Sequence, residues 1–423
     1  MGDRVPVGRL LADRNFRQYL LSGLVSGLGD AMFMLALSWI IVKTTGSSVL
    51  LGLLMASMSI PQIVLSMFAG AVVDRLNPRL LMIVSDTVRF LVMVFLFVMS
   101  LNGTPPIWSL FAMAVAFGAM DALFWPAASS FEQLLVSPDY YTQASGLVMA
   151  VTQGSEIVGP AIAGVLMASR GSFTLIIIVN ALTFLVSALC LVRVQSVQGP
   201  DEVESGEPRS LWEDMAVGVK YVTGTPLILI TALSAFVVNA SVAALLVAIP
   251  LLAHSLHVGS EGFGLMTTGL AVGGAISAVF FSMVVIKRPT PRMTFFANMA
   301  EGLMLVGMGI WRGLWGIVAM LVIIGVSEGV VNTIAPSVNR TIIPRRIFGR
   351  VISFMIVLMS GSEPLAKAAA GWVIGRAGVS RVLVWSGVLE ILVVAIAFFL
   401  PPVRNYTRAV NSDKDGGLVN DGQ

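Results

Sequence analysis

Cysteine and histidine are almost missing from this chain: Cys190 stands alone, and His254 and His257 are the only histidines. One cysteine excludes an intrachain disulfide, and its place inside an apolar run reads as packing. Two histidines leave no zinc-ligand spacing and no Ser/His/Asp triad, so neither a metal site nor a catalytic residue can be nominated. No Gly-x-x-x-x-Gly-Lys-[Ser/Thr] loop occurs, and no polar segment is long enough for an ATPase domain. The chain is therefore expected not to be an enzyme and to need no cofactor. Charge is scarce as well: 12% of the 423 residues are charged, against roughly 25% in soluble domains. The net charge is only +3. The basic residues are spread between apolar runs, which argues against a nucleic-acid patch.

What is abundant is apolar surface. Hydrophobic residues make up 57% of the chain, and the mean hydropathy is +0.90. A soluble fold this apolar could not cover its exterior, so the class is an all-α integral membrane protein in contact with the lipid bilayer. A helical span needs ~20 apolar residues. Twelve candidates fit: 17–42, 49–73, 80–101, 106–128, 143–168, 172–193, 226–253, 262–286, 292–312, 314–337, 349–375 and 380–400. Before Tyr19 the chain carries Arg4, Arg9, Arg14 and Arg17 without an apolar core, unlike a cleaved leader. With both termini placed in the cytoplasm, nineteen of the 26 lysines and arginines fall inside and five outside, which is the expected asymmetry.

The longest internal polar stretch, 194–225, separates an amino-terminal half, 1–193, from a carboxy-terminal half, 226–404. Ser210 and Glu213 form a capping-box pattern. The apolar spacing after them predicts an amphipathic helix over 210–222, lying on the cytoplasmic membrane surface. Residues 405–423 read as a disordered tail. The halves repeat faintly: Gly154-Ser155-Glu156 in span five recurs as Gly361-Ser362-Glu363 in span eleven, and Gly164 meets Gly371 at the same offset. Two related six-span halves with a site between them near the midplane are a recurring transporter plan.

The sequence resembles the major facilitator superfamily over essentially its whole length. The loop GAVVDRLNPRL from Gly70 is similar to that family's Gly-x-x-x-Asp-Arg-x-Gly-Arg-Arg signature at Gly70, Asp74, Arg75 and Arg79. Asn77 and Pro78 stand where a glycine and a basic residue are usual. VTQGSEIVGPAIAGVLM from Val151 resembles the span-five motif of the drug/proton antiporter branches at Gly154, Gly159, Pro160 and Gly164. LLADRNFRQYLLSGLVSGLGDAMFMLALSW and TTGSSVLLG resemble the branch with macrolide efflux proteins and the enterobactin exporter. Two departures touch the coupling scheme: span four lacks the arginine common in proton-coupled exporters, and MVVIKRPTPRM after span eight lacks an acidic residue.

The resemblance implies two pseudo-symmetric six-helix bundles, with spans one, four, seven and ten lining a cavity. Spans two, five, eight and eleven then form the interface, and three, six, nine and twelve sit outside. A charge at a helix centre costs roughly 2.5–3.5 kcal/mol on insertion scales, so each needs a reason. Asp30, Asp121, Glu156, Glu328, Glu363 and Lys367 fall where water or substrate reaches. Asp30 lies roughly 20 Å along span one; it reads as a cation- or proton-binding carboxylate, or as one bonded locally for packing. Phe124 and Trp125 follow Asp121 by one turn, which suits lipophilic cations or plain packing. With Asn239 in span seven they form the expected substrate-contacting set. Glu363 and Lys367, at i and i+4, read as a neutralised pair or as a selector for anionic groups. Glu301 and Glu390, on supporting spans, read as structural or water-facing. Asp86 and Arg89 lie in span three, nearer its cytoplasmic end.

Glu156 sits four residues before Pro160, inside an apolar run. A carboxylate sealed from water keeps its proton and a wetted one releases it, which suits a proton carrier. Gly154, Gly159 and Gly164 read as flat backbone against a neighbouring helix, and Pro160 as a bend or a gate. Asp74, Arg75 and Arg79 read as a cytoplasmic latch or as topology signals. The expectation is a monomeric, proton-coupled secondary exporter of the plasma membrane, moving a small amphipathic molecule such as a drug, macrolide or siderophore by alternating access. Uptake, movement of a lipid-like solute, or a non-transporting receptor are the alternatives.

Overall fold

The computed structural model describes residues 8–137, 140–168, 172–194, 211–284, 286, 289–344 and 347–404. Among them are fifteen helices and no strands. The short α1 is Gly8–Ala12, α8 is Leu211–Gly224 and α15 is Pro401–Arg404. Six long helices precede α8: α2 (Arg14–Thr45), α3 (Ser48–Arg75), α4 (Pro78–Ser100), α5 (Ile107–Leu135), α6 (Tyr141–Ala168) and α7 (Ser172–Arg193). Six follow it: α9 (Pro226–Ser255), α10 (Gly259–Met283), α11 (Pro291–Ile310), α12 (Leu314–Ile342), α13 (Phe348–Ala377) and α14 (Val379–Phe399). All twelve are long and apolar enough to cross a membrane, and they match the twelve expected spans to within a few residues at most ends. Their core-facing and lipid-facing sides are both apolar, as lipid requires.

Local chemistry sets the short connections. TTGSSVLLG turns α2 into α3 within two residues. Gly46 takes a left-handed φ of 61°, which closes α2 with its N–H on the Val42 carbonyl, and Ser47 caps α3 by accepting from the Leu50 N–H. In the 70–79 loop, Asn77 accepts from the Arg79 N–H and Pro78 opens α4, where a missing N–H costs nothing. The two residues that depart from the loop signature are thus a helix cap.

Within the first six spans α2 packs on α6 and α7, α3 on α5, and α4 on α5 and α7; within the second six α9 packs on α13 and α14, α10 on α12, and α11 on α12 and α14. The halves meet along α3–α13 and α6–α10. Both contacts are glycine to glycine. A Cβ on Gly52 would lie 2.4 Å from the Lys367 carbonyl oxygen, and one on Gly164 2.8 Å from that of Ser260, with Gly371 and Gly264 directly opposite. Ser48 adds a 2.7 Å hydrogen bond to the Gly371 carbonyl.

The cores show which end is closed. At the end remote from the termini, one continuous core takes side chains from both halves, from Phe33 and Ile41 to Leu252, Phe263 and Ile374. Trp39 of α2 stacks on Phe263 of α10 and meets His254 of α9 edge-on across the divide. At the end that carries the termini the cores are separate: one lies within α1–α7, around Phe16, Phe124 and Phe131, and another within α8, α9 and α13, around Val222, Ile228 and Val351. The molecule is sealed at one end and divided at the other.

The amphipathic helix forms as α8, but it docks on protein. Gly218 lies against the Arg350 carbonyl of α13, Val222 is buried there, and the Tyr221 hydroxyl donates to the Ile342 carbonyl at 3.1 Å. One side of α8 thus packs on α13, which supplies an apolar partner there. Ser210, the Glu213 side chain and the tail from 405 lie outside the described residues.

Candidate functional site: a charged cleft between the halves

Two cavities meet at Glu156. The first, about 220 Å³, lies among α2, α4, α5 and α6 and is lined by Asp30, Arg89, Asp121 and Glu156 beside Phe124 and Trp125. The second, about 440 Å³, lies between the halves, beneath the sealed end, with Glu156, Glu328 and Lys367 on its walls. Ala31, Met34 and Glu156 line both, so the two form one cleft. Glu156 is an exposed side chain although it belongs to a membrane span. Pro160, one turn on, has no N–H to give the Glu156 carbonyl. A charge, a proline and glycines coexist here because the helix faces water on one side and a neighbouring backbone on the other.

The glycines divide the work unevenly. Gly159 packs on α2, where an added Cβ would meet the Ala31 methyl at 2.6 Å, and Gly164 packs on α10. Gly154 has open space around it, so the tight packing expected at that position is absent; it borders the cleft turn of α6 rather than a helix contact.

Arg89 is the site residue that sequence reasoning passed over. It stands midway along α4, and its side chain is 3% exposed. Its guanidinium hydrogen-bonds Asp121 of α5 and lies 3.7 Å from Asp86. Asp86 also accepts from Ser187 at 2.5 Å, and Asp30 stands within electrostatic reach of all three groups. Span four lacks an arginine of its own, and the cation that meets its acid comes from span three. The signal was Asp86 with Arg89 at i and i+3: two charges on one face of a membrane helix cannot both look at lipid.

The arginine also changes the aromatic wall. It lies 4.9 Å from the Phe124 ring centroid and 5.6 Å from that of Phe184. The face of Phe124 expected to attract a substrate cation is therefore taken by the protein's own cation. Trp125, half exposed and edge-on to Phe124, keeps a free surface in the cleft. Asn239 lines neither cavity; its amide donates to the Ala235 carbonyl of its own helix at 2.8 Å, so its expected substrate contact is not supported.

Glu363 and Lys367 form the anticipated pair at 3.1 Å, and Lys367 also donates to Ser59 of α3 at 2.8 Å. The ammonium thus ties the two halves together at the cleft wall. At the 70–79 loop, Arg79 donates from Nε and Nη2 to the Leu191 and Val192 carbonyls at 2.8 and 2.5 Å, which caps the C-terminus of α7. The side chains of Asp74 and Arg75 and the surroundings of Gly70 lie outside the described residues.

Twelve membrane helices in two related bundles, sealed at one end around a charged cleft, define a transporter of the major facilitator fold. Residues 10–415 match the family model described as transmembrane secretion effector, and the chain belongs to that family of the major facilitator superfamily, whose members are transporters rather than enzymes. Relatives include the multidrug efflux pump Tap of Mycolicibacterium fortuitum, 23% identical, covering 91% of this chain and 95% of its own. The staphyloferrin A transporter of Staphylococcus aureus is 24% identical, covering 91% of this chain and 96% of its own. Among solved structures, the nucleoside transporter NupG aligns with a TM-score of 0.71 at 10% identity, over 93% of this chain and 99% of its own. A bacterial homologue of the iron transporter ferroportin in its inward-facing state aligns at 0.69 and 16% identity, over 92% of this chain and 99% of its own. These likenesses establish the fold.

Proposed function

We propose that this transporter exports a small amphipathic organic molecule, a drug or a siderophore, by proton-coupled alternating access, from a plasma membrane in which both termini are cytoplasmic. The observation that carries the reading is the exposed Glu156 at the junction of the two cavities. One cavity offers Asp30, Asp121 and Arg89; the other offers Glu328 and the Lys367–Ser59 contact. In the described state the divided end faces the cytoplasm, consistent with the distribution of lysine and arginine. Substrate enters from that side, with Trp125 as an apolar surface beside the acids. Protons arriving after the halves rock reach Asp30, Asp121 or Glu156 and displace the substrate outward. Gly159, Gly164 and Pro160 carry the movement at the α6 contacts, and the 74–79 latch holds one state. The efflux and siderophore relatives support this direction and substrate class.

The test is flux from proteoliposomes under an imposed pH gradient, screened over cationic, zwitterionic and catecholate compounds. Export of at least one class should follow the gradient, and Asp30→Asn should lower the pH-dependent part. Flux indifferent to the gradient contradicts proton coupling; unchanged flux in Asp30→Asn removes that residue from the mechanism.

A further inference from the structure

Outside the cleft, the second half buries a pair of acids that the transport cycle just described does not use. Glu301 of α11 is 1% exposed and Glu390 of α14 is 0% exposed. They face each other closely enough to interact electrostatically. The helices that carry them cross on bare backbone: a Cβ on Gly302 would lie 3.1 Å from the Gly387 carbonyl oxygen, and one on Gly387 2.5 Å from that of Gly302. Glu301 adjoins the first glycine, and Glu390 lies one turn beyond the second. Neither acid is water-facing, and each keeps carboxylate oxygen without a hydrogen-bond partner. Glu301 Oε1 and both carboxylate oxygens of Glu390 lack a hydrogen-bond donor.

Asn298 supplies a second observation. It is 6% exposed, its Oδ1 also lacks a donor, and it sits at i−3 from Glu301, on the same face of α11. The hydroxyl of Ser241 in α9 lies beside Glu390. Three buried side chains of α11 and α14, Asn298, Glu301 and Glu390, thus hold oxygens without a donor, and the Ser241 hydroxyl donates to the Val237 carbonyl of its own helix. The charged groups that act on the pair are acidic: Glu390 and Glu328 at Glu301, and Glu328 at Glu390. On the helices packed around them, Arg292 and Arg381 stand roughly 13 Å away along their helix axes, Arg340 and Arg404 lie at helix ends on the divided side, and Lys367 is engaged by Glu363 and Ser59. Two carboxylates this close and this dry cannot both be charged.

We propose that Glu301 and Glu390 form a second proton-binding site, a carboxylic acid pair between α11 and α14 that holds a proton in the described state. Asn298 accepts its hydrogen bond or orients it. A proton relieves the repulsion between two carboxylates shut off from water, and among the described residues no three His, Cys, Asp or Glu side chains come together as metal ligands. Glu328 of α12 joins this pair to the cleft: it lines the cavity between the halves and acts on both buried acids. The proposal deepens the proton-coupled reading, adding a store in the second half that fills and empties through Glu328, while Asp30, Asp121 and Glu156 lie in the first.

Difference infrared spectroscopy on the purified protein, stepped between acidic and alkaline buffer, tests it without any flux. The wild type should show the C=O stretch of a protonated carboxylic acid in an apolar setting. Glu301→Gln/Glu390→Gln should lose that band, and Asp30→Asn should keep it. If the double variant is not recovered folded, Glu301→Gln alone should shift the band, since Glu390 then has an amide neighbour. Glu328→Gln should slow the exchange of the band with bulk pH while leaving it present. A band unchanged by substitution at either glutamate overturns the site. Proton release on adding sodium or manganese, lost in the double variant, overturns the proton as its occupant. Absent pH-driven flux with the band intact would contradict the transport reading and leave the site standing.

Discussion

Arg89 shows how one side chain organises a membrane site. Its guanidinium hydrogen-bonds Asp121, stands 3.7 Å from Asp86, lies over two phenylalanine rings, and is nearly sealed from water. Removing one member of a buried ion-pair network leaves an uncompensated charge and costs about 3–5 kcal/mol. Arg89→Ala should therefore lower the thermal unfolding midpoint sharply, and the further change Asp86→Asn should recover part of it. Arg89→Lys keeps the charge and loses the planar fork, so it should fall between. A midpoint for Arg89→Ala equal to wild type would show that the network is not structural. The acids of this site were legible in the sequence, since a carboxylate inside a span announces itself. Their arrangement was not. Asp121 and Arg89 belong to different helices, and only packing shows that the cation beside the acid of span four comes from span three. Phe124 likewise reads as a free aromatic until a neighbouring helix covers its face.

At the scale of elements, the spans were readable because lipid forces each one into a long apolar helix with its backbone satisfied internally. The turn chemistry of Gly46-Ser47 and Asn77-Pro78 was visible for the same local reason. What pairs with what was harder to see. The offset between Gly164 and Gly371 marked a repeat, but each glycine's partner, Gly264 and Gly52, lies in the opposite half. The helix over 210–222 was legible from its spacing, but its contact with α13 was not. These contacts make a prediction. Gly52→Ala and Gly164→Ala place a Cβ within 3.0 Å of opposing backbone, so each should loosen the sealed end and increase labelling of a cysteine placed at Ile374. Gly154→Ala meets open space and should leave that labelling and the flux as they are. Equal effects from all three would show that helix propensity, not the interface, governs these positions.

For the whole molecule, the arrangement of cores carries the account. One core joins both halves at the end remote from the termini, and separate cores hold each half at the other. On the proposed reading such a body would exchange its open end by rocking about the glycine contacts of α3–α13 and α6–α10, with the charged cleft fixed near the middle. A solute bound there and the acids around it would then face each side in turn.

The most direct measurement is cysteine accessibility in the cleft. Met34→Cys and Thr152→Cys, in a Cys190→Ser background, are exposed to membrane-impermeant reagents from each side, with and without a pH gradient. The account predicts labelling from the side of the termini in the described state and from the opposite side once the gradient drives the exchange. Positions 34 and 152 unreactive from both sides under every condition, or reactive from one side only whatever the gradient, would contradict it.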